Sequence, residues 1–283
     1  MLRQRVVTAL VLIPLPVAAI WFGEPWFTLL AMAGAGLAAI EFYRLAASAG
    51  ASPVRGLGVV LSLLFIASRN PDLLAALAPH LDPALLLPLL LALALALPLF
   101  WLLLRPRPGT TSVNWAWTLG GILYVGWLLS HLVSLRGMVD GRNWLFLVVM
   151  VTAASDTAAF FIGRAFGRRS LAPRISPRKT WEGAIGGAVG AMAFSLLFAA
   201  PRLFGTSNPL HVDVLVLWQA PLLGLLVSVF GQLGDLAESF LKRNAGVKDS
   251  GSLLPGHGGI LDRLDSVVFA GVVVYYYVVW AIP

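Results

Sequence analysis

Between Ser239 and Asp265 the chain sets Lys242, Arg243, Lys248 and Arg263 beside Asp249, Asp262 and Asp265, interspersed with Gly246, Gly251, Gly256, Gly258 and Gly259. Glycines let backbone N–H groups approach an oxyanion closely, and Lys and Arg neutralise it. Carboxylates in the same place repel phosphate unless a hard cation lies between. Magnesium is the natural bridge, because it binds one or two carboxylates together with phosphate oxygens. Anion binders and metal binders in one stretch therefore point to a metal–polyphosphate substrate, and a flexible charged loop does not explain why both signs recur beside glycines. His257 stands in this stretch as a phosphate contact in preference to a general base. Immediately upstream, Asp235 ends an apolar run. If a helix continues there, Asp235, Glu238, Ser239 and Lys242 fall at i, i+3, i+4 and i+7 on one face. A plain row of helix-end ion pairs is the alternative.

A second basic cluster runs Arg174-Ile175-Ser176-Pro177-Arg178-Lys179-Thr180-Trp181-Glu182-Gly183. Ser176 or Thr180 could cap a following helix, whose positive N-terminal end beside Arg178 and Lys179 favours an anion. The competing reading is topogenic charge alone. Asp156 lies inside an apolar run, where an ionisable group is costly and usually functional. Other chemistries are disfavoured. The chain has no cysteine, which excludes thiol catalysis, disulfides and thiolate metal sites. His80, His131 and His211 are far apart, and neither a nucleophile elbow nor a P-loop is present.

The elements that must position these residues are read from hydropathy. The 283 residues are 59% hydrophobic and 12% charged, against a soluble norm of roughly 45–50% and 25%. Apolar blocks near twenty residues long suit a hydrocarbon core about 30 Å thick, and no alternating strand pattern appears. The expected fold is all-α and polytopic, with nine spans at about 6–23, 26–46, 55–69, 84–104, 114–133, 144–163, 183–200, 212–237 and 266–282. The N-terminal run after Arg3 and Arg5 is read as a first span and not as a cleaved signal. With the N-terminus inside, all but four of the 20 Lys and Arg fall on the inner side, leaving Arg69, Arg136, Arg142 and Arg202 outside. The net charge of +7 then reflects positive-inside topology and attraction to anionic head groups or phosphates, with no nucleic-acid partner expected. The chain reads as a single membrane domain. Residues 1–140 supply mainly structural helices, residues 150–265 the catalytic region with its inner loops at 164–182 and 238–265, and residues 266–282 the last span.

The spacing of Ser239, Lys242-Arg243, Lys248-Asp249, Gly251, Pro255, His257-Gly258-Gly259 and Asp262-Arg263-Leu264-Asp265 resembles the signature of the phosphatidate cytidylyltransferase (CDP-diglyceride synthase) family. Ser155-Asp156-Thr157 with Gly163-Arg164, and Ser176 to Gly183, are similar to its two other motifs, with Phe160 where a tyrosine is often found. The resemblance covers residues 155–265; the N-terminal half matches only in hydropathy. It implies a nucleotidyltransferase that converts CTP and phosphatidic acid to CDP-diacylglycerol and pyrophosphate in phospholipid biosynthesis. It also implies magnesium on Asp235 and Asp262, potassium nearby, a homodimer, and an inner-membrane location with cytoplasmic active-site loops. On that basis Asp235, Asp262, Lys242, Arg243 and Lys248 are expected to be catalytic. Asp156, Ser176, Arg178, Lys179, Ser239, Asp249, His257, Gly258, Gly259, Arg263 and Asp265 are expected to bind substrate. The rivals are a related CTP-using lipid kinase, against which the full signature argues, and an ion transporter, which the missing internal repeat disfavours.

Overall fold

The computed structural model describes residues 13–105, 110–203, 206–253 and 258–282. Among them the protein is an α-helical, multi-span membrane protein. Seven helices are long and apolar enough to cross a membrane: Trp26–Ser48, Pro83–Leu104, Thr111–Arg136, Gly141–Phe166, Trp181–Ala199, Gln219–Asn244 and Leu261–Ala281. An eighth span is possible if Arg55–Ala67 and Pro71–Leu77, bent by 86°, act as one. The expected nine is therefore not reached among the described residues. The first expected span is described only from residue 13, as the helix α1 (Pro14–Phe22). The third is broken at Asn70, whose side chain accepts from Leu73 N and caps the next helix.

The chain divides into two compact bodies, one holding the residues up to Gly137 with Leu241–Arg263, the other Met138–Phe240 with the residues from Leu264 onward. In the first body α2 (Trp26–Ser48) packs on α3 (Arg55–Ala67). Next come α4 (Pro71–Leu77), α5 (Leu86–Leu104) and α6 (Thr111–Gly121), then a π-helical turn at Ile122–Trp127 and α7 (Leu128–Arg136). Leu61, Phe65, Leu90, Ala94 and Ile122 form its apolar core. Small residues set the helix spacing where hydrocarbon gives no hydrophobic drive. A Cβ on Gly121 would stand 2.6 Å from the Tyr43 ring, and one on Gly126 would stand 2.5 Å from Ser62 Cα. Buried Tyr43 donates to Thr118 O at 2.9 Å, so its hydroxyl is satisfied in the apolar interior.

In the second body α8 (Gly141–Phe166) and α9 (Trp181–Ala199) pack along two interleaved small-xxx-small pairs, Gly183 with Gly187 and Gly186 with Gly190. Added Cβ atoms at Gly186 and Gly190 would lie 2.6 Å from Ile162 Cβ and 2.5 Å from Ala158 Cβ. The expected 164–182 loop is ordered as an antiparallel hairpin, β1 (Ser170–Ala172) with β2 (Ser176–Thr180). A second short hairpin pairs β3 (Arg202–Leu203) with β4 (Thr206–Ser207). The eighth span begins at Gln219, later than the expected residue 212, and as α10 runs to Asn244; α11 runs Leu261–Ala281. The expected loop 238–265 thus shrinks to the segment between Asn244 and Leu261. Its flanking residues, Asp262 and Asp265 among them, are helical.

Candidate functional site

The second body holds a cavity of about 620 Å³ lined by Asp156, Gly163, Arg164, Arg178, Lys179, Thr180, Gln232 and Asp235, among others. Each wall has a local cause. Asp156 projects from α8, in a helix that runs three residues further than expected, to Phe166. Arg178 and Lys179 come from β2, and the end of that strand is fixed by α9. Thr180 accepts from Gly183 N at 3.1 Å as the N-cap, which settles the choice between Ser176 and Thr180 as cap. Ser176 instead opens β2, opposite Ala172. Glu182 Oε2 accepts from Arg168 N (3.1 Å) and Arg169 N (3.3 Å), and Trp181 N donates to Arg169 O at 3.0 Å, which docks the hairpin on the start of α9. From α10, Asp235 meets Lys179, with Nζ 2.5 Å from Oδ2, while Ser239 Oγ donates to the other oxygen at 3.3 Å. Both partners are half-buried, with side chains 26% and 34% exposed, so the pair is within reach of a ligand. Behind it, Gln232 Nε2 donates to Ser228 Oγ (2.9 Å), which in turn shares a 2.7 Å bond with Ser155 Oγ.

The first body holds a second cluster, centred on Asp262 in the first turn of α11. Lys242 Nζ lies 2.5 Å from Oδ1, and Oδ2 accepts from Gly259 N (2.7 Å), Ser250 Oγ (2.9 Å) and Ser250 N (3.0 Å). The Gly259 bond reaches back three residues, to the chain just before the helix. This pair is drier than the first: the Lys242 and Asp262 side chains are 11% and 7% exposed. Gly258 has φ +80°, a left-handed conformation that favours glycine at this position of the signature.

The remaining expected residues separate. Arg243 is exposed and donates to Val247 O at 3.3 Å. Lys248, Asp249 and Arg263 are exposed, and Asp265 accepts from Ser266 N at 2.6 Å. His257, Pro255 and Gly256 lie outside the described residues, as do Arg3, Arg5 and Arg107. Glu41 escaped the sequence reading. Buried at 3% exposure in α2, it accepts from Ile260 N (3.1 Å) and Leu261 N (2.8 Å) and lies 3.3 Å from Ser250 Oγ. The available signal was a lone carboxylate in a long apolar helix. Gln232 and Glu182 were passed over in the same way, as parts of motifs without a stated job.

At Asp235 lone pairs remain within reach of a hard cation, whereas at Asp262 a cation would have to displace donors already in place. At both Asp235 and Asp262 an ammonium nitrogen stands 2.5 Å from a carboxylate oxygen, where a metal ion would also find its ligand. Among the described residues no three His, Asp or Glu side chains group as a metal site. Magnesium at either aspartate would therefore complete its shell with phosphate oxygens and water.

Fold and clusters together define an integral membrane protein that sets lysine and arginine side chains beside carboxylates. The chain belongs to the cytidylyltransferase family, whose model matches residues 3–281. It is 33% identical over 317 aligned residues to a phosphatidate cytidylyltransferase of Synechocystis sp., an alignment covering 99% of this chain and 97% of the relative. It is 45% identical over 162 residues to a protein of the same name from Brucella suis biovar 1, covering 57% of this chain and 56% of the relative. A Bacillus subtilis phosphatidate cytidylyltransferase is 41% identical over 155 residues, or 54% of each chain. The chain thus matches just over half the length of the Brucella and Bacillus relatives.

Proposed function

We propose that this protein is a phosphatidate cytidylyltransferase, transferring the cytidylyl group of CTP to phosphatidic acid with release of pyrophosphate. The observation that carries the reading is the cavity in which Arg164, Arg178 and Lys179 face Asp156 and Asp235, in a chain matched by the family along nearly its whole length. The attacking group is a lipid phosphate oxygen, already anionic at neutral pH, so no general base is required. Catalysis reduces to holding that oxygen in line with the α-phosphate of CTP and stabilising charge on the leaving pyrophosphate. Lys179 and Arg178 act as clamps on phosphate oxygens. Lys242, Arg243 and Lys248 serve the same reaction through the signature stretch, with Ser176, Ser239, Asp249, His257, Gly258, Gly259, Arg263 and Asp265 as further substrate contacts. Asp235 and Asp262 are the magnesium ligands of this reading, with potassium as a second ion. The metal, when bound, neutralises charge that builds on the phosphates. A lipid phosphate stays at the interface, which suits a site built on membrane helices.

The reading further takes the protein as a homodimer in the inner membrane, with the N-terminus and both polar segments cytoplasmic, an orientation that the charge asymmetry and the cytosolic supply of CTP support. Purified protein given phosphatidic acid, magnesium and CTP labelled at the α-phosphate should yield a labelled liponucleotide. Label appearing on lipid only from γ-labelled CTP would replace the reading with a lipid kinase. For orientation, Ser252 is exposed and the native chain has no cysteine. A S252C variant should therefore react with an impermeant thiol reagent only in inverted vesicles, and reaction in right-side-out vesicles would reverse the topology.

A further inference from the structure

We infer that Glu41, on the second helix and outside every signature motif, is the positioning residue that holds Ser250, Gly259 and Asp262 in their working arrangement; this rests on the cytidylyltransferase reading above. Glu41 is buried, and its charge is met by a helix start: Oε1 accepts from Ile260 N and Oε2 from Leu261 N, at the first turn of α11. A carboxylate there satisfies orphan N–H groups and is favoured by the helix dipole. Its second oxygen also lies 3.3 Å from Ser250 Oγ, although that hydroxyl's single hydrogen has a shorter path, 2.9 Å, to Asp262. Glu41 thus touches both ends of the segment whose backbone N–H groups at Ser250 and Gly259 hold Asp262.

The glycines supply an independent observation. A Cβ on Gly251 would sit 2.5 Å from Glu41 Oε1, and one on Gly259 would run into Glu41 Oε2. Two glycines of the signature are therefore required, in part, to make room for this carboxylate. Burying a charge costs desolvation that is repaid only by well-placed hydrogen bonds. Here the geometry held is the placing of Ser250 and Gly259 against Asp262.

The test uses E41Q in the full-length protein, a change that keeps size but turns an amide N–H₂ toward one of two backbone N–H donors. Turnover should fall about ten- to a hundredfold, as expected for one lost charge-assisted hydrogen bond, with KM for CTP changed less than twofold. The second readout needs no substrate. In the S252C background, E41Q should raise the thiol-labelling rate severalfold, while a S48C control on α2 should label as before. E41D, too short to reach both N–H groups, should not restore either property. Unchanged labelling and turnover in E41Q would overturn the assignment, and so would equal acceleration at both cysteines, which would mark general loosening. If the parent protein made no liponucleotide, the functional reading would fail while the labelling result still decided the role of Glu41.

Discussion

Asp235 and Asp262 are both aspartates paired with a lysine at 2.5 Å, yet they live differently. Asp235 lines an open cavity and has a lysine on one oxygen and a serine hydroxyl on the other. Asp262 is almost dry and is held by two backbone N–H groups, a hydroxyl and an ammonium. The first arrangement leaves lone pairs within reach of a ligand; the second uses nearly all of the four or so that a carboxylate offers. Similar ion pairs can therefore serve different ends, and exposure together with the number of donors separates them. Asp262 joins chemistry to the architecture of its own loop, whereas Asp235 is placed by a helix that stands without it.

The comparison breaks most sharply under the isosteric amide. D235N and D262N should each lower turnover by at least about three decades if both hold the metal. Their stabilities should part. Removing one charge of the drier pair should cost D262N about 3–5 kcal/mol, whereas D235N should lose no more than about 1 kcal/mol. Turnover and thermal unfolding of purified protein, measured side by side, check both. Normal turnover for D262N at saturating magnesium would confine that residue to holding the loop.

Lys179 sharpens the open side of the comparison. Its removal as K179A should cost about 3–4 kcal/mol of transition-state stabilisation, or two to three decades in rate. K179R keeps the charge and should retain measurable activity. The quantity to measure is turnover per inserted molecule, because a purely topogenic lysine would lower insertion and leave each inserted molecule fully active.

Much of the site was legible because chemistry leaves local marks. Lys179, Asp235, Lys242 and Asp262 were all singled out by residue type and spacing, and the i, i+3, i+4, i+7 face after Asp235 is realised because α10 does continue to Asn244. Which partner each would take was not legible, since Lys179–Asp235 and Lys242–Asp262 join residues 56 and 20 positions apart. Glu41 was hidden for the same reason: its partners lie some 220 positions away, and its neighbours look like lipid-facing filler. Span boundaries slipped where hydropathy averages over capping. Asp262 reads as a loop residue by polarity, yet it lies in the first turn of a helix, with its carboxylate holding the N–H groups of Gly259 and Ser250 outside that helix.

Helix contacts should respond more modestly than the charges. G190L in α9 would push into Ala158, and G126L would push into the Ser62 backbone. Each should destabilise by about 1–3 kcal/mol, as overpacking does. G126L should be the worse of the two because an added Cβ there meets three Ser62 atoms within 3.1 Å, whereas at Gly190 it meets one, Ala158 Cβ, with the next atom at 3.7 Å. Unfolding midpoints in detergent give the order, and equal midpoints would mean that the two bodies tolerate the added bulk alike.

Thr180 carries the smallest effect and the finest distinction. Its hydroxyl caps α9 through Gly183 N, and the side chain also fills the space left by Gly163 and Gly167: a Cβ on Gly167 would meet Thr180 Cγ2 at 2.8 Å and Oγ1 at 2.9 Å. Cap and methyl can be separated. T180S keeps the hydroxyl and loses the methyl, whereas T180A loses the cap, worth about 1 kcal/mol. Because Thr180 follows Lys179 directly, a frayed helix start should also let the lysine drift from Asp235. T180A should therefore slow turnover by less than about tenfold, an upper bound set by that same cap energy, and T180S should stay near the parent. Equal losses in T180S and T180A would transfer the role from the hydroxyl to the methyl. The hairpin carrying Lys179 would then be held by packing against Gly163 and Gly167 and not by the helix cap.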